Sequence, residues 1–174
     1  MGLTSVDLAT LAVGLLVLRV VFGLLMAAHG TQKLLGWFGG HGLAATAGFF
    51  DAMGFRPGRA FAAMASVTEV VSGVLIALGL FGPVGPALVV SVMIVAAVSV
   101  HWKNGLLSTA NGIEVPLLYA AFATALALIG PGRLSLDAVL GLGSLATPTA
   151  AWVALAIGAI GGIGNVLARR PAAA

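Results

Sequence analysis

The stretch from Leu8 to Ala28, LATLAVGLLVLRVVFGLLMAA, decides the fold. It is apolar around its whole circumference, with Arg19 alone inside it. About 20 such residues, with a range of roughly 17–25, span a bilayer's hydrocarbon core as a helix. Four further stretches have the same character. They run from about Phe61 to Leu80 with Glu69 inside, Val84 to Val100, Val115 to Ile129, and Thr149 to Leu167. The composition agrees: 60% of the 174 residues are hydrophobic and 7% are charged. A soluble domain carries roughly 25% charged residues, so this chain has too few charges to cover a water-facing surface. Lipid is the solvent that suits it. The sequence therefore predicts a single-domain, all-α membrane protein.

The breaks between the stretches carry turn chemistry. Gly82-Pro83 and Gly85-Pro86 predict a tight hairpin between the second and third helices. Gly130-Pro131-Gly132 ends the fourth, and Ser135 with Asp137 marks a short helix start after it. Thr147-Pro148 reads as an N-cap and first-turn proline for the fifth. The first connection, residues 30–60, is not plainly polar. It predicts a re-entrant or interfacial segment with a short helix from Leu43 to Met53.

Basic residues set the expected orientation. Lys33, Arg56, Arg59, Lys103, Arg169 and Arg170 fall on one side of a five-helix arrangement, and Arg133 falls on the other. The positive-inside rule places the amino terminus outside and the carboxyl terminus in the cytoplasm of a multi-pass cell-membrane protein. Trp37 and Trp102 then mark the inner interface and Trp152 the outer one. Residues Met1–Asp7 contain no basic residue, so the first apolar stretch is expected to stay as a transmembrane helix. Eight basic groups spread along the chain make no nucleic-acid surface. The chain has no cysteine, which excludes a disulfide framework, a thiol nucleophile and a thiolate metal site. His29, His41 and His101 match no metal-ligand spacing, and no metal or cofactor is expected within the chain itself. Gly158 and Gly162 form a small-residue stripe for close internal packing, with a homo-oligomer contact as the other use.

An ionisable residue inside a membrane segment is costly and is a functional candidate by default. Counted from His29 and from Phe61, Arg19 and Glu69 lie at matched depths, which predicts an ion pair or a shared hydrogen-bond network between them. The bland alternative is a bolt that fixes helix register. His29, Lys33, His101 and Glu114 lie shallower on the same side. Together these residues predict a polar vestibule leading to Arg19 and Glu69. Glu114 also has a simple reading as a carboxylate favoured in a helix's first turn.

These residues resemble the DoxX family of small bacterial membrane proteins. The resemblance rests on Arg19, His29-Gly30-Thr31-Gln32-Lys33-Leu34, Thr68-Glu69-Val70-Val71-Ser72-Gly73, His101, Gly112-Ile113-Glu114 and the run from Gly130 to Asp137. It covers about residues 10 to 140 and rests on order and spacing together. It implies a four-helix transmembrane bundle core, to which the fifth, C-terminal transmembrane helix is an addition. It also implies a membrane subunit or anchor of a redox system, since the family is similar to the DoxD-like subunit of thiosulfate:quinone oxidoreductase and to membrane partners of thiol and oxidative-stress enzymes. A membrane quinone and a soluble redox enzyme are the partners so implied. The absence of cysteine argues against direct thiol or persulfide chemistry in this chain. Two other classes fit the residues: a carrier or channel component for a small anion or metabolite, drawing on Arg19, Lys33 and Lys103, and a structural assembly factor.

Overall fold

The computed structural model describes residues 7–170. Helix α1 spans Leu8–Leu35, α2 Gly42–Ala52, α3 Gly58–Leu78, α4 Val84–Ala96, α5 Glu114–Ile129, α6 Leu136–Val139 and α7 Pro148–Leu167. Beyond Ala96, α4 runs on through a π turn, Ala97–His101, and a 3-10 turn, Trp102–Asn104. There is no strand among the described residues. Among the described residues, four helices are long and apolar enough to cross a membrane: α1, α3, the continuous Val84–Asn104 segment and α7. Helix α5 is a shorter apolar helix of 16 residues, about 24 Å at 1.5 Å per residue.

The outward faces confirm lipid as the solvent. Leu24 is 60% exposed, Ile157 65% and Ile160 70%, each in the middle of its helix. Side chains of that kind belong in hydrocarbon, where every backbone group is already satisfied within the helix. The protein is a multi-pass membrane protein built as an all-α bundle. Its core gathers Phe22, Met26, Ile76, Val89, Met93 and Leu126 from α1, α3, α4 and α5.

Glycines set the seam between α1 and α3. A Cβ on Gly30 would meet the Ser66 carbonyl at 2.5 Å, one on Gly73 would meet the Ala27 amide at 2.5 Å, and one on Gly23 would overlap the Gly73 carbonyl. Small residues let two helix backbones approach this closely. The contacts also fix an antiparallel register, with Gly23 beside Gly73 and Gly30 beside Ser66. The Gly158 and Gly162 stripe packs inside the chain: a Cβ on Gly162 would stand 2.7 Å from the Ser91 carbonyl of α4.

The local expectations hold with shifted limits. The short helix within residues 30–60 is α2, lying against α3. The Ser135 hydroxyl accepts from Ala138 N–H at 3.2 Å and caps α6. Thr147 caps α7 in the same way, with Pro148 in the first turn. The chain end packs beside the α2–α3 turn, where Arg170 N–H donates to the Gly54 carbonyl at 2.8 Å. Lys33, Arg56, Arg59, Lys103, Arg169 and Arg170 therefore belong to the same end of the bundle.

The hairpin between α3 and α4 is held from outside. Phe81 and Gly82 adopt positive φ, 60° and 52°. Their N–H groups donate to the two carboxylate oxygens of Asp137, at 2.8 and 2.6 Å. Such a conformation is disfavoured for a phenylalanine and persists where its surroundings enforce it.

Candidate functional site

At the basic end of the bundle, α2, α3 and α4 border an open cavity of about 480 Å³. That volume lies within the roughly 300–1,000 Å³ of small-molecule sites. Its wall is largely apolar, with Phe49, Phe50, Phe55, Phe61 and Met64 prominent. A few polar groups break that wall: Lys33 from α1, Thr46 from α2, Thr68 and Glu69 from α3, and His101 from the π turn.

Lys33 and Glu69 form the centre of this polar group. The Lys33 ammonium donates to Oε1 of Glu69. Glu69 is 1% exposed, while the Lys33 side chain keeps 35% of its surface. The pairing follows from helix geometry. Side chains lean toward their helix's N-terminus, so Lys33 reaches back along α1 toward the level where Glu69 crosses. Lysine also carries its charge on a flexible stem suited to this reach. Oε2 of Glu69 is buried and has no hydrogen-bond partner among the described residues, and neither has the Ser99 hydroxyl. Buried polar atoms are normally satisfied, so two orphans on one cavity wall mark unmet hydrogen-bonding capacity.

The backbone is also unusual here. Ser99, Val100 and His101 reach the cavity from the π turn. Such turns interrupt the regular helix and are frequent at functional sites. Nδ1 of His101 lies 2.8 Å from the Asn111 carbonyl. A carbonyl only accepts, so Nδ1 carries the proton, and in the neutral ring Nε2 is the acceptor.

Of the six residues expected to form the vestibule, three line the cavity and three do not. Lys33, Glu69 and His101 do. Glu114 stands apart: its carboxylate accepts from Ser108 N–H at 2.7 Å and closes the loop before α5. His29 is exposed and lies edge-on to Tyr119, ring centroids 5.8 Å apart.

Arg19 is the larger correction. It does not pair with Glu69. Its guanidinium donates to the Leu134 carbonyl, on the far side of the bundle from Lys33. A Cβ on Gly79 would overlap that guanidinium, so Arg19 is level with the end of α3. Ten residues, about 15 Å, separate Gly79 from Glu69 along the helix. The expected match in depth took His29 as the end of the first helix. That helix continues to Leu35, and its register against α3 is set by the glycine seam. With Asp137 anchoring the α3–α4 hairpin nearby, the buried Arg19 joins α1 to the segment after α5, while its Nε and Nη1 have no hydrogen-bond partner among the described residues.

Several cavity residues have only faint signals in the sequence. Asn165 is a lone amide in the apolar run of α7. Ser91 and Ser99 are eight residues apart, which places them on one helical face. Thr46 and His41 lie in the connection that has no apolar period to orient them. Among the described residues, no three histidine or carboxylate side chains come together as a metal site.

A family model described as DoxX matches residues 14–102, just over half of the chain and nearly all of α1 to α4. Compared with curated proteins and with solved structures, the chain matches none.

Proposed function

The chain belongs to the DoxX family, and from that premise we propose that it is the membrane subunit of a redox system, holding a lipid-soluble quinone headgroup in the cavity between α2, α3 and α4. One observation carries this reading: a buried ion pair with an unpartnered carboxylate oxygen inside an otherwise apolar, aromatic-walled cavity. The donor set suits the group. A quinone needs hydrogen bonds at its carbonyl oxygens and apolar contact over its ring. Lys33 has three N–H donors and uses one on Glu69, which leaves two for a carbonyl oxygen. Ser99 and Thr68 add hydroxyls, and Phe49, Phe50 and Phe61 add ring surface.

When bound, a quinone supplies two-electron, two-proton redox chemistry. Glu69 holds or yields a proton at Oε2, beside the Lys33 charge that keeps its other oxygen occupied. His101 links the cavity to the water-facing loop through Asn111 and is placed to exchange that proton with solvent. The apolar wall keeps the headgroup dry. The electrons come from a soluble redox enzyme docked at the basic end, the cytoplasmic face in the orientation the charges favour.

The anion-carrier reading is weaker. It drew on Arg19, Lys33 and Lys103 along one route, but Arg19 is at the opposite end and bonded to a backbone carbonyl. The binding test uses the full chain in lipid nanodiscs titrated with a short-tailed benzoquinone. Saturable binding is expected, weakened at least tenfold by Glu69→Gln and by Lys33→Met and unchanged by Glu114→Gln. A well-folded wild-type protein that shows no saturable binding overturns the proposal and leaves the assembly-factor reading.

A further inference from the structure

A second hollow adjoins the cavity. A groove of about 390 Å³ runs between the start of α3 and the end of α7. It shares Phe61, Met64 and Asn165 with the cavity, so one set of side chains walls both. Both helices pack on α4 but scarcely touch each other. Four residues of the groove are small: Ala60 on α3, Gly161 and Gly164 on α7, and Ala168 just beyond it. A Cβ on Gly164 would meet nothing within 4 Å, and one on Gly161 would meet only the Ser91 hydroxyl at 3.5 Å. Stripes of small residues in membrane helices usually bring a second helix close. The Gly158 and Gly162 stripe does so against α4, whereas this one faces open space.

Two polar features lie behind the gap. Asn165 donates to the Gly161 carbonyl at 2.8 Å and stands where groove and cavity meet. Deeper in the cavity is the unpartnered Oε2 of Glu69. A molecule with a polar head and an apolar tail fits this sequence of surfaces.

We propose that the α3–α7 groove is a lateral portal, through which an apolar-tailed ligand reaches the Lys33–Glu69 site from the bilayer and in which its tail rests. The inference rests on the reading of the cavity as a quinone-type site and adds the route and the tail requirement. Phe61 and Met64 form the gate. Met64 is 48% exposed, and its unbranched side chain can swing without disturbing the fold. The tail occupies the strip that the small residues leave open, so the ligand exchanges with lipid and not with water.

The test fills the strip in the full-length chain in nanodiscs. Gly164→Trp and Ala60→Phe place bulk in the groove, and Gly48→Trp, which also faces open space, is the control. Each protein is titrated with a decyl-tailed benzoquinone and with the same headgroup lacking a tail. The expected result is at least a tenfold loss of affinity for the tailed ligand in the two groove variants. The tailless headgroup binds within twofold of wild type, and Gly48→Trp changes neither. Equal binding of the tailed ligand to wild type and groove variants overturns the portal and leaves the cavity reading standing. Loss of both ligands in a groove variant that unfolds like wild type overturns it too, because the bulk then disturbs the cavity itself. Failure of both ligands to bind wild type overturns both readings.

Discussion

Lys33 and Glu69 are the only pair of opposite charges in contact among the described residues, and they meet across the α1–α3 seam at the wall of the cavity. Glu69 is closed off from solvent, while Lys33 keeps part of its surface in the cavity. The pair is thus half structural and half open to a ligand.

Removing one partner leaves the other exposed to the low dielectric. Lys33→Met should destabilise the protein by roughly 3–5 kcal/mol, the usual consequence of leaving a buried charge uncompensated. Adding Glu69→Gln should recover most of that loss. Thermal unfolding in detergent of the single and double variants measures the coupling. The Arg19→Met and Glu69→Gln effects should add to within about 0.5 kcal/mol, since the two residues do not touch. Strong coupling of Glu69 with Arg19, and none with Lys33, would contradict the α1–α3 register.

At the opposite end, Asp137 satisfies two backbone N–H groups that hold Phe81 and Gly82 at positive φ. Asp137→Ala leaves both donors without that partner, at about 1–3 kcal/mol each. The melting temperature should fall clearly, with quinone affinity in the remaining folded protein unchanged. A change in affinity without loss of stability would argue for a connection between the two ends.

The α1–α3 seam tolerates no added volume. Gly30→Val and Gly73→Leu place atoms on backbone that cannot move aside. Overpacking costs typically 1–3 kcal/mol and more where backbone is struck. Both variants should lose the monodisperse peak on size-exclusion chromatography. Gly14→Leu, where a side chain meets nothing within 4 Å, should behave as wild type.

The Ser99 hydroxyl is buried without a partner, so Ser99→Ala should leave the ligand-free protein as stable as wild type or slightly more so. Binding of a carbonyl-bearing headgroup should weaken several-fold in the same variant. A drop in ligand-free stability with affinity intact would assign Ser99 to the scaffold.

The chain has no cysteine, so single introduced cysteines report topology without background. Lys103→Cys and Arg170→Cys should react with a membrane-impermeant maleimide from the cytoplasmic side, and Arg133→Cys from the other. Labelling of Arg133→Cys and Arg170→Cys from one side would refute an odd number of crossings between them.

The sequence by itself determined the solvent, the helices and the turns between them, but not where α1 ends. Long apolar runs, a scarcity of charge and punctuation by Gly-Pro, Ser135 and Thr147-Pro148 are local signals. Each is legible without knowing a neighbour, because hydrogen bonding within a helix and burial in lipid are decided one segment at a time. The membership of Lys33, Glu69 and His101 in one polar group was legible too, from their rarity in apolar surroundings.

Only the tertiary structure decided which charge meets which. Arg19 and Glu69 look matched in depth on paper, yet the glycine seam slides α1 along α3 until Lys33 takes that place and Arg19 bonds the Leu134 carbonyl. Register between two helices depends on where backbones can approach, a property of both surfaces together that no single segment displays. The cavity and its groove follow from the same cause. They exist because α3 and α7 both rest on α4 without closing on each other, and because α2 folds back beneath them.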